Sequence, residues 1–276
     1  KKMTTTFLLS LMAIATSSYN FSNYGELVDT NTFCKEDGEF TKCTHFTLAE
    51  GVDDQVPNDD DHHKRRLGHI WGDSTWENPN CNLVLQVGDC HTDNGGEDFS
   101  TMLVDVVDKW NNVPENQGLT GTTFNPSGIS LQYAQCDGDT TCDNTDILGK
   151  ISSCNSDYGA TGWAGLASVW TYSESNHIAK AMSQVNEYYI MTNAQTQHVL
   201  CQEIGHGWPM GHTSEDGSDQ NTCMDYSTWT SANRYPNEHD VELLDSLYGT
   251  CQTPNTSNKI GIYYICLIVL CLMLYV

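Results

Sequence analysis

Residues 202–212 read Gln-Glu-Ile-Gly-His-Gly-Trp-Pro-Met-Gly-His, and these types at this spacing can hold a metal ion. Two helical residues four apart share a face, about 6 Å apart along the axis. Gln202 and His206 can therefore reach one ion, with Glu203 beside them in reach of a metal-bound water. His212 follows past a Gly- and Pro-containing stretch where a helix should break, and it can return as third ligand. The fourth position then stays open for water, as catalytic zinc requires.

A little further on comes Cys223-Met224-Asp225-Tyr226-Ser227. With this segment the chain resembles the metzincin zinc endopeptidases, whose signature is His-Glu-x-x-His-x-x-Gly-x-x-His followed by a methionine-containing turn. Glu203, His206, His212 and Met224 match that signature. Gln-Glu-x-x-His looks like the gametolysin-type matrix-degrading enzymes, some of which carry glutamine at the first position. The resemblance implies an α/β domain: a twisted mixed sheet, an active-site helix, a Met-turn at Met224 and a C-terminal helix. It also implies a site in which Gln202, His206 and His212 hold zinc or another divalent metal. Glu203 would serve as general base, Tyr226 would steady the oxyanion, and the substrate would be an extracellular or cell-wall protein or peptide.

Two residues depart from the signature. Gln202 offers a neutral amide oxygen, a poorer partner for zinc than imidazole. Pro209 stands where the family has a glycine, so Gly207 or Gly211 is expected to absorb the bend. The alternative reading is a metal-free pseudoprotease that serves as a surface binding or adhesion module. Glu203 speaks against it, because a pure binding scaffold has no need of that carboxylate. His198 lies about 12 Å along the helix from His206, too far to share an ion with it, and is expected to be a supporting or surface residue.

Elements that would position these residues can be read from periodicity. Leu83, Leu85 and Val87 alternate as a strand, as do Ile129, Leu131 and Tyr133. Phe99, Met102, Leu103, Val106, Val107 and Trp110 follow an amphipathic helical spacing. Gly162 to Tyr172 reads as a buried strand. The stretch after His177 is ambiguous by pattern, and the resemblance implies an edge strand there, the one that aligns substrate. Thr196 to Trp208 should be the motif helix. A last helix is expected to begin at Pro236-Asn237 and end before Gly249.

Lys+Arg 12 against Asp+Glu 36 gives a formal charge of −24, which makes nucleic acid a poor partner. Lys1 and Lys2 followed by an apolar run from Phe7 to Ala15 read as a signal peptide over 1–18. Residues 19–66 are polar and end in His62-His63-Lys64-Arg65-Arg66, either a solvated linker or a processing site that releases a propeptide. The catalytic domain is placed at 67–251. Residues 252–276 combine a polar stretch with an apolar tail, favouring a GPI-attachment signal over a short membrane anchor. Both place the domain outside the cell. Asn20 and Asn255 begin glycosylation patterns. Of 12 cysteines, Cys266 and Cys271 lie in the tail, and the other ten suit a disulfide framework. Cys81–Cys90 and Cys136–Cys142 are candidate neighbour pairs, and Cys201 and Cys223 are candidates to staple the site. A cysteine before the catalytic domain could instead cap the metal. The acidic loop around Asp137, Asp139, Asp143 and Asp146 lacks EF-hand spacing and reads as a solvated disulfide loop.

Overall fold

A computed structural model describes residues 26–29, 32–49, 74–77, 83–90, 96–113, 129–136, 148–189, 192–213, 219–225 and 233–248. The signal peptide, the basic cluster at 62–66, the acidic loop, Tyr226, the glycosylation patterns and the C-terminal tail lie outside these residues. No helix among the described residues is long and apolar enough to cross a membrane.

The chain forms a mixed α/β structure around one mixed sheet. The strands, in chain order, are β1 (Glu26–Asp29), β2 (Thr32–Asp37), β3 (Phe40–Leu48), β4 (Thr75–Trp76), β5 (Leu83–Asp89), β6 (Ile129–Gln135), β7 (Lys150–Ser156), β8 (Trp163–Tyr172) and β9 (His177–Asn186). Among the described residues three helices join them: α1 (Gly96–Asn111), α2 (Asn193–Gly207) and α3 (Glu238–Tyr248). Across the sheet the order is β1-β2-β3-β8-β9-β7-β5-β6, with β4 pairing onto β9. β6, β5, β7 and β9 run parallel, whereas β8 is antiparallel to β9 and β3 antiparallel to β8.

The expected elements at 83–87, 99–110, 129–133 and 162–172 are present as β5, α1, β6 and β8. The stretch after His177 is strand β9, but it is an interior strand between β8 and β7, not the edge that the resemblance implied. Its burial explains the ambiguous pattern: Ile178 to Asn186 are all buried, so no polar face alternates with an apolar one. The polar N-terminal region also contributes strands. Gly38 takes φ 67 in the turn between β2 and β3, a conformation that glycine adopts without steric cost. The paired Cys34 and Cys43 are bridged across this hairpin.

One face of the sheet packs on the helices through Leu85, Val87, Ile151, Val169, Phe99, Leu103, Val199 and Ile204. The other carries Phe46, Leu48, Trp163, Leu166, Trp170 and Met182. Cys90 is bridged to Cys136 rather than to Cys81. Parallel register is the reason. Asp89 stands opposite Gln135 at the ends of β5 and β6, which brings the next residue of each strand together.

Candidate metal centre

Helix α2 starts at a capping box, in which Thr192 accepts from the Gln195 N–H and the Gln195 side chain reaches back to Thr192. From Gln197 to Gly207 every residue is buried, because the helix lies under β8 and β9 with α1 and the 219–225 segment around it. Gln202, Glu203 and His206 are each 0 % exposed. Gly205 lets Met224 pack flush against the helix, since a Cβ at that position would lie 2.3 Å from Met224 Sδ. Met224 therefore sits against the residue next to His206.

After α2 the chain turns at Trp208 and Pro209. Pro209 itself has φ 38, and neither Gly207 nor Gly211 takes a positive φ. The bend thus falls on the residue whose ring resists it, not on a neighbouring glycine. The Met210 N–H donates to Gly205 O, and Thr213 N–H donates to Met224 O at 2.9 Å, which fixes His212 between the helix and the Met224 turn. A Cys201–Cys223 disulfide joins the same two pieces, so both cysteines staple the site together.

The structure brings His206 and His212 together with a third histidine, His45 of β3. Ligand nitrogens of the three lie within 4.8 Å of one another. Ring centroids are 4.3 Å apart for His45–His206, 4.6 Å for His45–His212 and 5.0 Å for His206–His212. His206 Nδ1 pairs with Met210 O at 2.7 Å and His45 Nδ1 with Thr32 Oγ1 at 2.8 Å. Those contacts orient both rings and leave Nε2 as the nitrogen that can face an ion, the usual arrangement of a ligating histidine. Burial holds the His206 pKa down to about 4 against the opposing Met210 carbonyl. Burial, then the two neighbouring histidines, places His45 well below its ordinary value. Both shifts favour the neutral imidazole, the form a metal needs. A tetrahedral zinc with bonds of about 2.1 Å holds its donors roughly 3.4 Å apart, so movements of about 1 Å close this set around an ion. The donor set fits a metal such as zinc.

Gln202 is placed differently. Its Oε1 accepts from Thr47 Oγ1 at 2.7 Å and its Nε2 donates to Asp225 O at 2.9 Å. Glu203, on the same helix, faces Gly165 of β8, where a Cβ would lie 2.2 Å from Oε1. Neither carboxylate oxygen accepts a well-formed hydrogen bond among the described residues. Burial pushes its pKa well above the usual carboxylate range, and the nearby Thr47 hydroxyl offsets only part of that. His198 is buried, not superficial, with Nδ1 bonded to Asn233 O. It supports the 233–235 segment, away from the histidine cluster.

His45 lies far outside the 202–212 motif, and its spacing to that motif carries no signal. Two signals were available: Asp37-Gly38 between Cys34 and Cys43, which marks a hairpin, and the alternation through Thr44, Phe46 and Leu48, which marks His45 and Thr47 as the opposite face. Neither tells which strand β3 will pair with.

No protein-family model matches the chain, and no curated protein does. Among solved structures it is similar to the crystal structure of metalloproteinase-II from Bacteroides fragilis. That similarity has 13% sequence identity and a TM-score of 0.34, covering 78% of this chain and 75% of that one.

Proposed function

We propose that the chain is a metal-dependent endopeptidase acting on extracellular protein. The observation that carries this reading is a cluster of three histidines, one of which, His206, shares helix α2 with the buried carboxylate of Glu203. His206 and His212 hold the ion. A zinc ion bound there would lower the pKa of its water towards 7 and polarise a scissile carbonyl. Glu203, three residues before His206 on α2, takes the water's proton and passes it to the leaving amine. Burial keeps bulk water from competing with Glu203 for that proton. Met224 fixes the helix from below, and Tyr226 follows it closely enough in sequence to reach the developing oxyanion. The C-terminal tail supports attachment at the cell surface, with a peptide or protein as partner.

The test is zinc-dependent cleavage of a denatured protein by the full chain beside Glu203→Ala. The wild type should cleave and the variant should lose at least about 100-fold, with its melting curve intact. Equal cleavage by both would sink the assignment of Glu203. Zinc binding with no cleavage by the wild type would favour the binding-module alternative.

A further inference from the structure

We propose that His45, from the N-terminal hairpin, is the third protein ligand of the metal, and that Gln202 anchors the strand that carries it. The inference rests on the reading of the site as metal-binding and goes beyond it in assigning a ligand from outside the helix-and-turn motif.

Three placements carry it. First, β3 is held along its whole length. It pairs residue for residue with β8 from Phe40↔Tyr172 to Leu48↔Trp163, with one irregularity near Leu48. Phe46 and Leu48 are buried in the far-side core, and Thr44 Oγ1 bonds Ser168 Oγ at 2.9 Å. His45 is therefore delivered by a fixed strand, not by a side chain on a tether. Second, the alternation of that strand is matched to the site. His45 stands opposite Ala167 and Thr47 opposite Gly165, and Gly165 is the residue against which Glu203 packs. His45 and Thr47 thus look onto α2, while Phe46 looks away. Third, both ends of the Gln202 amide are engaged, by Thr47 on β3 and by Asp225 O beside Met224. Gln202 ties together the two segments that flank the cluster. The imidazole that the motif lacks at its first position is supplied from 157 residues earlier in the chain, by the residue two before Gln202's own partner. Imidazole is also the better zinc donor of the two candidates.

The experiment is a zinc titration of the full chain against a chromophoric chelator, wild type beside His45→Gln, with zinc-edge anomalous diffraction from wild-type crystals grown with zinc. Glutamine can still bond Thr32, so the variant should melt like the wild type without zinc. The expected result is zinc affinity lower by roughly 100-fold or more in the variant, and an anomalous peak bonded by His45, His206 and His212. A peak bonded by Gln202, His206 and His212, or unchanged affinity in the variant, overturns the proposal and leaves the endopeptidase reading standing. Absence of any zinc at these residues overturns both. Should His45→Gln fail to fold, the position of the peak in wild-type crystals decides.

Discussion

Gly165→Ala is a sharp test of how the site is packed. The added methyl group would lie 2.2 Å from Glu203 Oε1, 2.8 Å from its Cδ and 2.6 Å from Val199 Cγ1. Ordinary contact begins near 3.4 Å, so the carboxylate has to retreat by about 1 Å. Glu203 has no solvent to retreat into, being 0 % exposed, and Val199 one turn earlier is equally buried. Two residues of α2 must move together, which means the helix shifts away from β8. Overpacking of this kind costs about 1–3 kcal/mol, against a gain of roughly 0.5–1 kcal/mol for replacing a strand glycine. Net destabilisation of about 1–2 kcal/mol is expected in denaturant unfolding. A displacement of about 1 Å at a catalytic group costs on the order of 100-fold, so kcat/KM for a protein substrate should fall by that much. The two readouts must move together. A variant with wild-type stability and wild-type kcat/KM would refute the placement of Glu203 against β8.

Gly205→Ala should also destabilise, by about 1–3 kcal/mol, although alanine is the better helix former by about 1 kcal/mol. The new methyl group meets Met224 Sδ at 2.3 Å and Trp110 Cζ2 at 2.9 Å, and a melting curve at or above wild type would contradict that packing. Asp240 predicts a pH dependence. Burial raises its pKa from 3.8 to about 6, against the bonds it accepts from Thr222 and the Asn237 N–H. The folded chain therefore holds an extra proton between those values, so the stability from this group is complete below about pH 4 and is lost as pH rises through 6. The span corresponds to about 3 kcal/mol. Unfolding free energies measured from pH 4 to 7 should fall less steeply in Asp240→Asn, and parallel curves would refute the assignment.

The helices were legible because their signals are local. The spacing from Phe99 to Trp110 gives α1, and Asn237 caps α3 by accepting from the Asp240 N–H at 3.2 Å. His206, His212 and Met224 are also close in sequence, and they lie around one helix end. What was not legible depends on pairing between distant segments. Thr47 and Gln202 bond across 155 residues, and no periodicity in 40–48 names β8 as its neighbour. Residues 26–49 read as a polar segment ahead of the domain because β2 is largely exposed and only the second half of β3 is buried. The Cys90–Cys136 bridge was obscured for the same reason: nearness in sequence favoured Cys81 and Cys142, whereas strand register decided the pairing.

The seating of β3 along β8 also makes two binding events compete. Within the described sheet β8 is paired on both sides, by β3 and β9, so it has no unpaired backbone of its own to offer an incoming chain. An extended peptide that docks on β8 beside Glu203 must take over the N–H and C=O groups that β3 now uses. Each such exchange carries His45 away from His206 and His212. Peptide docking on this strand and three-histidine metal binding are then antagonistic, and thermodynamic reciprocity makes the penalty equal in both directions. An ion held by the three histidines would latch the hairpin, and the paired hairpin would set the threshold for any chain docking on β8.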